Sequence, residues 1–163
     1  MMQWPKQSEC NIFYGNPRGR NGAASAAWEG VNLTRIKPPF QMYFGDAKVS
    51  SIRVHIKCAA AFMAVFNALW VASGRNQRVI DEWGVSKYAG AYNFRLMRGG
   101  NSLSMHSWGC AIDLDPANNG MGDATPRFAQ YPQVIKAFKD QGAIWGGDWG
   151  SKDGMHFQFS RVD

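Results

Sequence analysis

The sequence predicts a single α+β domain. Its 163 residues are enough to bury one hydrophobic core, and contents of 45% hydrophobic and 18% charged residues are typical of a folded protein. The segments with strand or helix periodicity are short. They do not alternate as regular βαβ units, which favours a mixed α+β arrangement over a parallel α/β sheet.

The N-terminal part of the chain, residues 1–45, is predicted to be an irregular arm. Glycine and proline recur throughout it, and its apolar residues are too few for a core of their own. Its apolar triplets at residues 12–14 and 42–44 are expected to lay the arm over the core. The domain proper is then predicted to span residues 46–163.

Two longer helices are predicted. From Ser51 to Ser73 apolar residues recur every three or four positions, and Gly74 follows as a stop signal. His55 falls on this helix beside the apolar stripe, where a histidine is more often structural or exposed than a ligand. The second helix is predicted from Pro132 to Gln141, with Gly142 after its C-terminus.

Two predicted strands carry polar side chains on one face. Residues 110–114 alternate, so that Asp113 and Asp115 share a face. Residues 155–159 also alternate, with His156 on the face opposite the aromatic residues. Shorter elements are predicted at residues 78–83, 88–95 and 144–145.

Three side chains on these segments are of the types that bind zinc. His106 lies on the turn that leads into the first strand, Asp113 lies on that strand, and His156 lies on the second. Two imidazoles and a carboxylate leave the fourth tetrahedral position open for water, as in catalytic zinc sites. Asp115 is an alternative to Asp113, although the proline after it indicates a turn. The sequence therefore predicts a metallohydrolase with one zinc ion per chain.

Asp153 is the predicted general base. It precedes His156 by three residues, and Gly154 between them lets the chain bend so that both side chains face one cavity. A carboxylate that lies beside a metal without binding it can take a proton from the attacking water and pass it to the leaving amine. An ordinary turn aspartate is the alternative, because Asp-Gly pairs are common in turns.

Other residues are candidates for contact with the substrate. Hydrolysis of an amide needs positive charge where the oxyanion develops, and Arg95 and Arg98 precede the first motif. Trp108, Trp145 and Trp149 are candidates for the walls of a cleft, and packing in the core is the alternative for each.

The net charge of +6 favours contact with polyanions, among them the anionic bacterial envelope. The basic residues are scattered and form no nucleic-acid motif, so no nucleic-acid partner is predicted. A merely solvated basic surface is the alternative.

The cysteine pattern predicts no disulfide framework, and the apolar segments predict no export signal and no membrane span. Cys10, Cys58 and Cys110 form no CxxC pair. The first ten residues show no signal-peptide pattern, and the longest apolar run is too short to span a bilayer. We therefore expect no stable membrane insertion, and a cytoplasmic location until the protein is released.

The two motifs together resemble a known family signature. The first is Ser104-x-His106-x-x-Gly109-x-Ala111-x-Asp113, and the second is Asp153-x-x-His156. Both are similar to the zinc D-Ala-D-Ala carboxypeptidase and L-alanyl-D-glutamate peptidase family. That family includes the VanY-type carboxypeptidases and many bacteriophage endolysins, and shares its fold with the Hedgehog signalling domain. The resemblance covers roughly residues 51–159.

The resemblance implies a fold and a set of roles. It implies a small antiparallel sheet that carries the zinc site, with flanking helices. It also implies that His106, Asp113 and His156 bind the zinc and that Asp153 is the base. The segment Tyr92-Asn93-Phe94-Arg95 is similar to the family's arginine-bearing segment, so that Arg95 would polarise the scissile carbonyl, with Arg98 as the alternative. Ser104 and Arg98, with Trp108 and Trp145, are the expected substrate-binding residues.

The resemblance also implies a substrate. Many family members carry glutamate at the base position, and the aspartate here is more similar to the endolysin branch. We therefore expect a monomeric enzyme that cuts the L-Ala–D-Glu bond of the peptidoglycan stem peptide and causes lysis. A D-alanyl-D-alanine carboxypeptidase is one alternative. A wall-binding or virion structural module that keeps zinc only for folding is another.

Overall fold

The computed structural model describes residues 3–163 and shows the predicted α+β fold. The helices of this part of the chain are α1 (Cys10–Tyr14), α2 (Ala26–Asn32), α3 (Ala59–Ala72), α4 (Gln77–Trp83) and α5 (Pro132–Asp140). Its strands are β1 (Leu33–Ile36), β2 (Met42–Phe44), β3 (Ala47–Val49), β4 (Ile52–His55), β5 (Tyr88–Gly90), β6 (Ala111–Leu114), β7 (Ile144–Trp145) and β8 (His156–Gln158). Short 3-10 helices lie at Gln7–Glu9, Met105–Trp108, Arg127–Gln130 and Gly146–Asp148.

The central sheet is antiparallel and has the strand order β5-β6-β8-β7. Strands β6 and β8 are paired so that Asp113 lies opposite His156 and Ile112 opposite Phe157. Because directly opposed residues share a face, one register sends the polar pair to one side and the apolar pair to the other. Ile112 and Phe157 are buried in the core, where the Phe138 ring of α5 stacks on Phe157 with ring centroids 3.9 Å apart.

The prediction for the second long helix is confirmed. Helix α5 begins at Pro132, buries Val134 and Phe138, and is followed by Gly142 in the left-handed region at φ 85°. Among residues 3–163, no helix is both long enough and apolar enough to span a bilayer.

The prediction of one helix from Ser51 to Ser73 is wrong in its first third. Residues 52–55 form β4, which pairs with β1, and the helix begins only at Ala59. Ile52 and Val54 are buried while Arg53 is exposed, so this part alternates with a period of two. Apolar residues at such spacing fit either period over a short window, and the pairing with β1 decides for the strand.

His55 consequently lies on β4. Its Nε2 is 2.9 Å from the carbonyl oxygen of Tyr14, and its Nδ1 accepts a hydrogen bond from the backbone N–H of Lys57 at 3.0 Å. Both ring nitrogens are used within the fold, so His55 is a structural residue, as its position beside an apolar stripe suggested.

The N-terminal segment is more regular than predicted. Residues 3–45 contain α1, α2, β1 and β2, and the predicted boundary after residue 45 falls inside the β2–β3 turn, where Phe44 pairs with Ala47. Helices of five and seven residues are too short for periodicity to show. Gly15 follows α1 at φ 84°, and the Ser25 hydroxyl caps α2 by accepting a hydrogen bond from the Trp28 N–H. Residues 1 and 2 lie outside the described residues.

Candidate metal centre

The structure brings together the three predicted zinc ligands. Nitrogen or oxygen atoms of His106, Asp113 and His156 all lie within 4.8 Å of one another. His106 Nε2 is 3.1 Å from Asp113 Oδ2, and His156 Nδ1 is 3.1 Å from Asp113 Oδ1. In the part of the chain that the structure describes, no second group of three His, Cys, Asp or Glu side chains converges in this way.

A short 3-10 helix positions His106. The Ser104 hydroxyl caps this helix and accepts a hydrogen bond from the His106 N–H at 3.3 Å. Gly109 ends the helix in the left-handed region at φ 71° and turns the chain into β6. A Cβ atom at Gly109 would lie 2.7 Å from the backbone nitrogen of His55, so the approach of β4 requires glycine there.

The hydrogen bonds behind the two histidines select their tautomers. His106 Nδ1 is 2.7 Å from the carbonyl oxygen of Ala91, which can only accept, so the proton lies on Nδ1 and Nε2 carries a lone pair. His156 Nε2 is 2.8 Å from Gln158 Oε1, which leaves the lone pair on Nδ1. Both lone pairs therefore face the Asp113 carboxylate.

The orientation of the Gln158 amide is itself fixed by its neighbours. Its nitrogen donates to the carbonyl oxygen of Ser160 at 3.3 Å and to Gln7 Oε1 at 2.8 Å, so the amide oxygen must face His156. Strand alternation puts Gln158 on the same face as His156, two residues further along β8, but does not by itself indicate a role for it. The outer hydrogen bond that metal-bound histidines ordinarily make is the signal that could have identified it.

This arrangement fits a zinc ion. His106 Nε2 is buried and, with its proton on Nδ1, has no hydrogen-bond partner among the described residues, which is costly unless a cation binds there. Two imidazole nitrogens and a carboxylate are ligands that zinc prefers. The structure thus supports a metal centre formed by His106, Asp113 and His156.

The site is also electrostatically prepared for a cation. Burial alone would raise the pKa of the Asp113 carboxyl, but its contacts with the His106 and His156 imidazoles hold that pKa well below its usual range. Asp113 is therefore ionised whenever the protein is folded near neutral pH, and it supplies the negative charge of the centre.

The alternative ligand Asp115 is used elsewhere. It adopts a left-handed conformation at φ 48° and is buried. Its carboxylate accepts hydrogen bonds from the Asn118 amide at 3.0 and 3.1 Å and lies 3.7 Å from the Lys87 ammonium group. Asp115 is the start of a turn, as the proline after it indicated.

Asp153 lies beside the metal centre on a bent segment. A turn through Gly154 is closed by a hydrogen bond from the His156 N–H to the Asp153 carbonyl oxygen at 3.1 Å. Glycine is required at 154 because a Cβ atom there would lie 2.4 Å from Pro126 Cβ. The Asp153 Oδ1 atom is buried without a hydrogen-bond partner among the described residues, unlike a turn aspartate, which accepts from a nearby backbone N–H.

The environment of Asp153 favours a proton acceptor. Burial raises the pKa of its carboxyl above the ordinary value and the Asp113 charge adds to this, while His156, His106 and Arg95 offset it only in part. A carboxylate with a raised pKa holds a proton more readily than an exposed one, which a general base requires.

A cavity of about 490 Å³ opens over the centre. Arg95 and Arg98 line it, together with His106, Asp113 and the segment around Gly90. The backbone of Arg95 is held on both sides: its N–H donates to the Ser107 hydroxyl at 3.1 Å, and its carbonyl accepts from Ser104 N–H at 2.9 Å.

Of the two arginines, we expect Arg95 to affect the chemical step more. Its backbone is anchored and its charge reaches Asp153, whereas Arg98 follows on an exposed turn. Arg95→Ala should lower turnover by about two to three orders of magnitude, the scale of a lost oxyanion donor, without loss of zinc. Steady-state kinetics of Arg95→Ala and Arg98→Ala provide the comparison. A large loss in Arg98→Ala alone would transfer the role to Arg98.

Three of the predicted substrate-binding residues lie outside the cavity over the metal centre. Ser104 is the buried cap described above. The Trp108 indole N–H donates to Asn11 Oδ1 and to the Gly15 carbonyl oxygen, both at 3.1 Å, so Trp108 packs against the N-terminal segment. The Trp145 indole N–H donates to the Gly154 carbonyl oxygen at 2.7 Å and supports the Asp153 turn from behind. None of the three lines the cavity.

Trp149 is the tryptophan beside the metal centre. Its ring centroid lies 5.5 Å from that of His156, and the side chain is partly exposed. The sequence shows that aromatic residues cluster near the motifs, but it does not show on which side of the chain each one packs.

A family comparison agrees with this geometry. Residues 98–159 match the model of a family described as D-alanyl-D-alanine carboxypeptidase. The matched segment contains the three converging ligands and Asp153, and it begins after Arg95. The match supports the relationship to zinc peptidases that the two motifs predicted. No curated protein and no solved structure matches the chain significantly.

Proposed function

We propose that the protein is a zinc peptidase of the bacterial cell wall that hydrolyses the L-Ala–D-Glu bond of the peptidoglycan stem peptide. The observation that carries the proposal is the combination of three converging ligands with a buried, unpartnered carboxylate oxygen on Asp153. A metal site that serves folding alone is closed by a fourth ligand and needs no base.

In the proposed hydrolysis, bound zinc, Asp153 and Arg95 have separate roles. Bound zinc supplies Lewis-acid chemistry, which polarises a carbonyl and lowers the pKa of water to about 7. Asp153 accepts a proton from the attacking water and returns it to the amine that leaves. Arg95, on the cavity lining, stabilises the negative charge that develops on the carbonyl oxygen.

The choice of bond rests on the base and on the requirements of lysis. The aspartate at position 153 resembles the endolysin branch, whereas many carboxypeptidases of the family carry glutamate. Removal of a terminal D-alanine leaves existing cross-links intact, while a cut near the root of the stem detaches the peptide from its glycan. We therefore propose a monomeric bacteriophage endolysin, held in the host cytoplasm until release, with peptidoglycan and not nucleic acid as its partner.

A D-alanyl-D-alanine carboxypeptidase is the second candidate, because the matching family carries that description. Both candidates use the same metal centre and differ only in the peptide that the cavity accepts. A non-catalytic wall-binding or virion module is the third, and the unpartnered Asp153 carboxylate argues against it.

Digestion of purified cell walls distinguishes the three. We expect clearing of a wall-containing gel that a chelator abolishes and added zinc restores. Mass spectrometry of the released peptides should show new N-terminal D-glutamate. Free D-alanine as the only product would establish the carboxypeptidase. Binding to walls without any cleavage would establish the non-catalytic module.

A further inference from the structure

Two arginines face each other on the ribbon formed by β1 and β4. Arg35 and Arg53 are direct partners in the antiparallel register, and both side chains are exposed. Directly opposed residues share a face, with Cβ atoms about 4.5–5.5 Å apart. The other face of the ribbon carries Ile36 and Ile52, which are buried in the core. Both guanidinium groups therefore project from the same side.

This pair is unfavourable for stability by itself, because like charges directly opposite each other repel. Neither arginine forms an ion pair with an acidic side chain within residues 3–163. The nearby Glu29 carboxylate instead accepts a hydrogen bond from the Tyr92 hydroxyl. In the part of the chain that the structure describes, the two adjacent positive charges therefore have no acidic partner within ion-pair distance.

Both guanidinium groups are nevertheless held in place. Arg53 Cζ lies 4.7 Å from the centroid of the Tyr92 ring, a cation–π contact that occupies one face of the group and leaves its edge free. Arg35 Nη1 donates to the Ser51 hydroxyl at 3.2 Å, which uses one of its donors. The remaining N–H groups are available to a ligand.

Neither arginine lines the cavity over the metal centre, but backbone hydrogen bonds connect β4 to the segment that contacts His106. The Arg53 carbonyl oxygen accepts a hydrogen bond from the Tyr92 N–H at 3.2 Å. Ala91 precedes Tyr92, and its carbonyl oxygen accepts from His106 Nδ1. Burial is the main cause of the raised pKa of Tyr88. A backbone hydrogen bond at Ala91 and the charges of Arg35 and Arg53 lower this pKa in part, while the charge of Asp113 raises it, so the Tyr88 hydroxyl lies within electrostatic reach of both sites. The residues after Tyr88, Ala89 and Gly90, line the metal cavity.

We propose that Arg35 and Arg53 form a binding site for a carboxylate of the peptide substrate. Paired guanidinium groups offer parallel N–H donors that match a carboxylate in charge and geometry. This inference rests on the proposed function, because the ligand is part of the peptide that the metal centre cuts. In both candidate substrates a carboxylate lies on the amino acid that leaves: the α-carboxylate of D-glutamate, or that of terminal D-alanine.

The test compares two substrates and two kinds of variant. The substrates are stem peptides whose D-glutamate α-carboxylate is either free or amidated. The variants are the double substitution Arg35→Gln with Arg53→Gln and, as control, Arg78→Gln. Arg78 is exposed on α4 and does not belong to the β1–β4 ribbon. The control therefore removes a positive charge at a site outside the proposed one.

We expect the double variant to raise KM for the free peptide roughly tenfold, the effect of two exposed charge pairs, with kcat and zinc content unchanged. The amidated peptide should bind the wild-type and double-variant proteins about equally. The difference for the free peptide should shrink as salt concentration rises. An equal loss for both peptides, or an equal loss in Arg78→Gln, would overturn the inference.

Calorimetric titration separates this inference from the proposed function. The peptides are titrated into zinc-loaded Asp153→Asn protein with and without the two arginines. Carboxylate-dependent binding that the arginine variant loses would support the site even if the wild-type protein cleaved neither peptide, in which case the proposed function fails. Cleavage of the free peptide with no arginine dependence would refute the site and leave the proposed function standing.

Discussion

Asp153→Asn is expected to lower turnover by about two to four orders of magnitude, the range typical of a lost general base. An amide of nearly the same shape cannot accept the proton from the attacking water. The fold should persist, because the hydrogen bonds that hold this segment use backbone atoms: Asp153 N–H donates to the Gly146 carbonyl at 3.0 Å, and its carbonyl accepts from His156 N–H.

The measurement pairs steady-state kinetics with zinc analysis. Asp140→Asn is the matched control, since Asp140 is exposed on α5 and contacts only Lys136 in a surface ion pair. We expect that variant to keep full turnover. If Asp153→Asn loses its zinc, Asp153 is a ligand and not the base. Unchanged turnover would make it a turn residue.

His156→Ala is expected to abolish stable zinc binding. The substitution removes one of three ligands and leaves the Asp113 carboxylate with a single imidazole. Because zinc binds the folded state, its loss should also remove the rise in melting temperature that added zinc produces in the wild-type protein. Atomic absorption after dialysis and thermal melts with and without zinc measure the two effects.

His55→Ala is the matched control for a lost imidazole. His55 is buried and bonded to the backbone of Tyr14 and Lys57, so its removal should lower the melting temperature whether or not zinc is present. The folded fraction should still bind one zinc ion per chain. Full zinc content in His156→Ala would show that His156 is not a ligand.

The convergence of His106, Asp113 and His156 could be predicted because its signal is local. Strand alternation places Asp113 on the polar face of β6 and His156 on the polar face of β8. The register between the two strands then sets these residues opposite each other. The two bends that lead into β6 and β8 are also visible in the sequence, because each requires a glycine, Gly109 in the first and Gly154 in the second.

What the sequence did not reveal depends on contacts between distant segments. Strand β4 was predicted as helix because only its pairing with β1, which was itself not recognised, makes it a strand. The arrangement of Arg35 beside Arg53 follows from that pairing and could not be foreseen without it. Trp108 and Trp145 were placed in the cleft because elements of two to four residues are too short for the sequence to show which side of the chain packs inward.

The hydrogen bond from Gln158 to Gln7 has a consequence for protein engineering. The Gln7 side chain, in the N-terminal segment, helps to orient the amide that sets the His156 tautomer. Trp108, two residues after His106, is in turn anchored on Gly15. Residues 98–159 therefore do not form a unit that could be moved to another protein on its own. Grafted into another scaffold, it would carry the three ligands but would lose the contacts with Gln7, Gly15 and Ala91 that help to orient them.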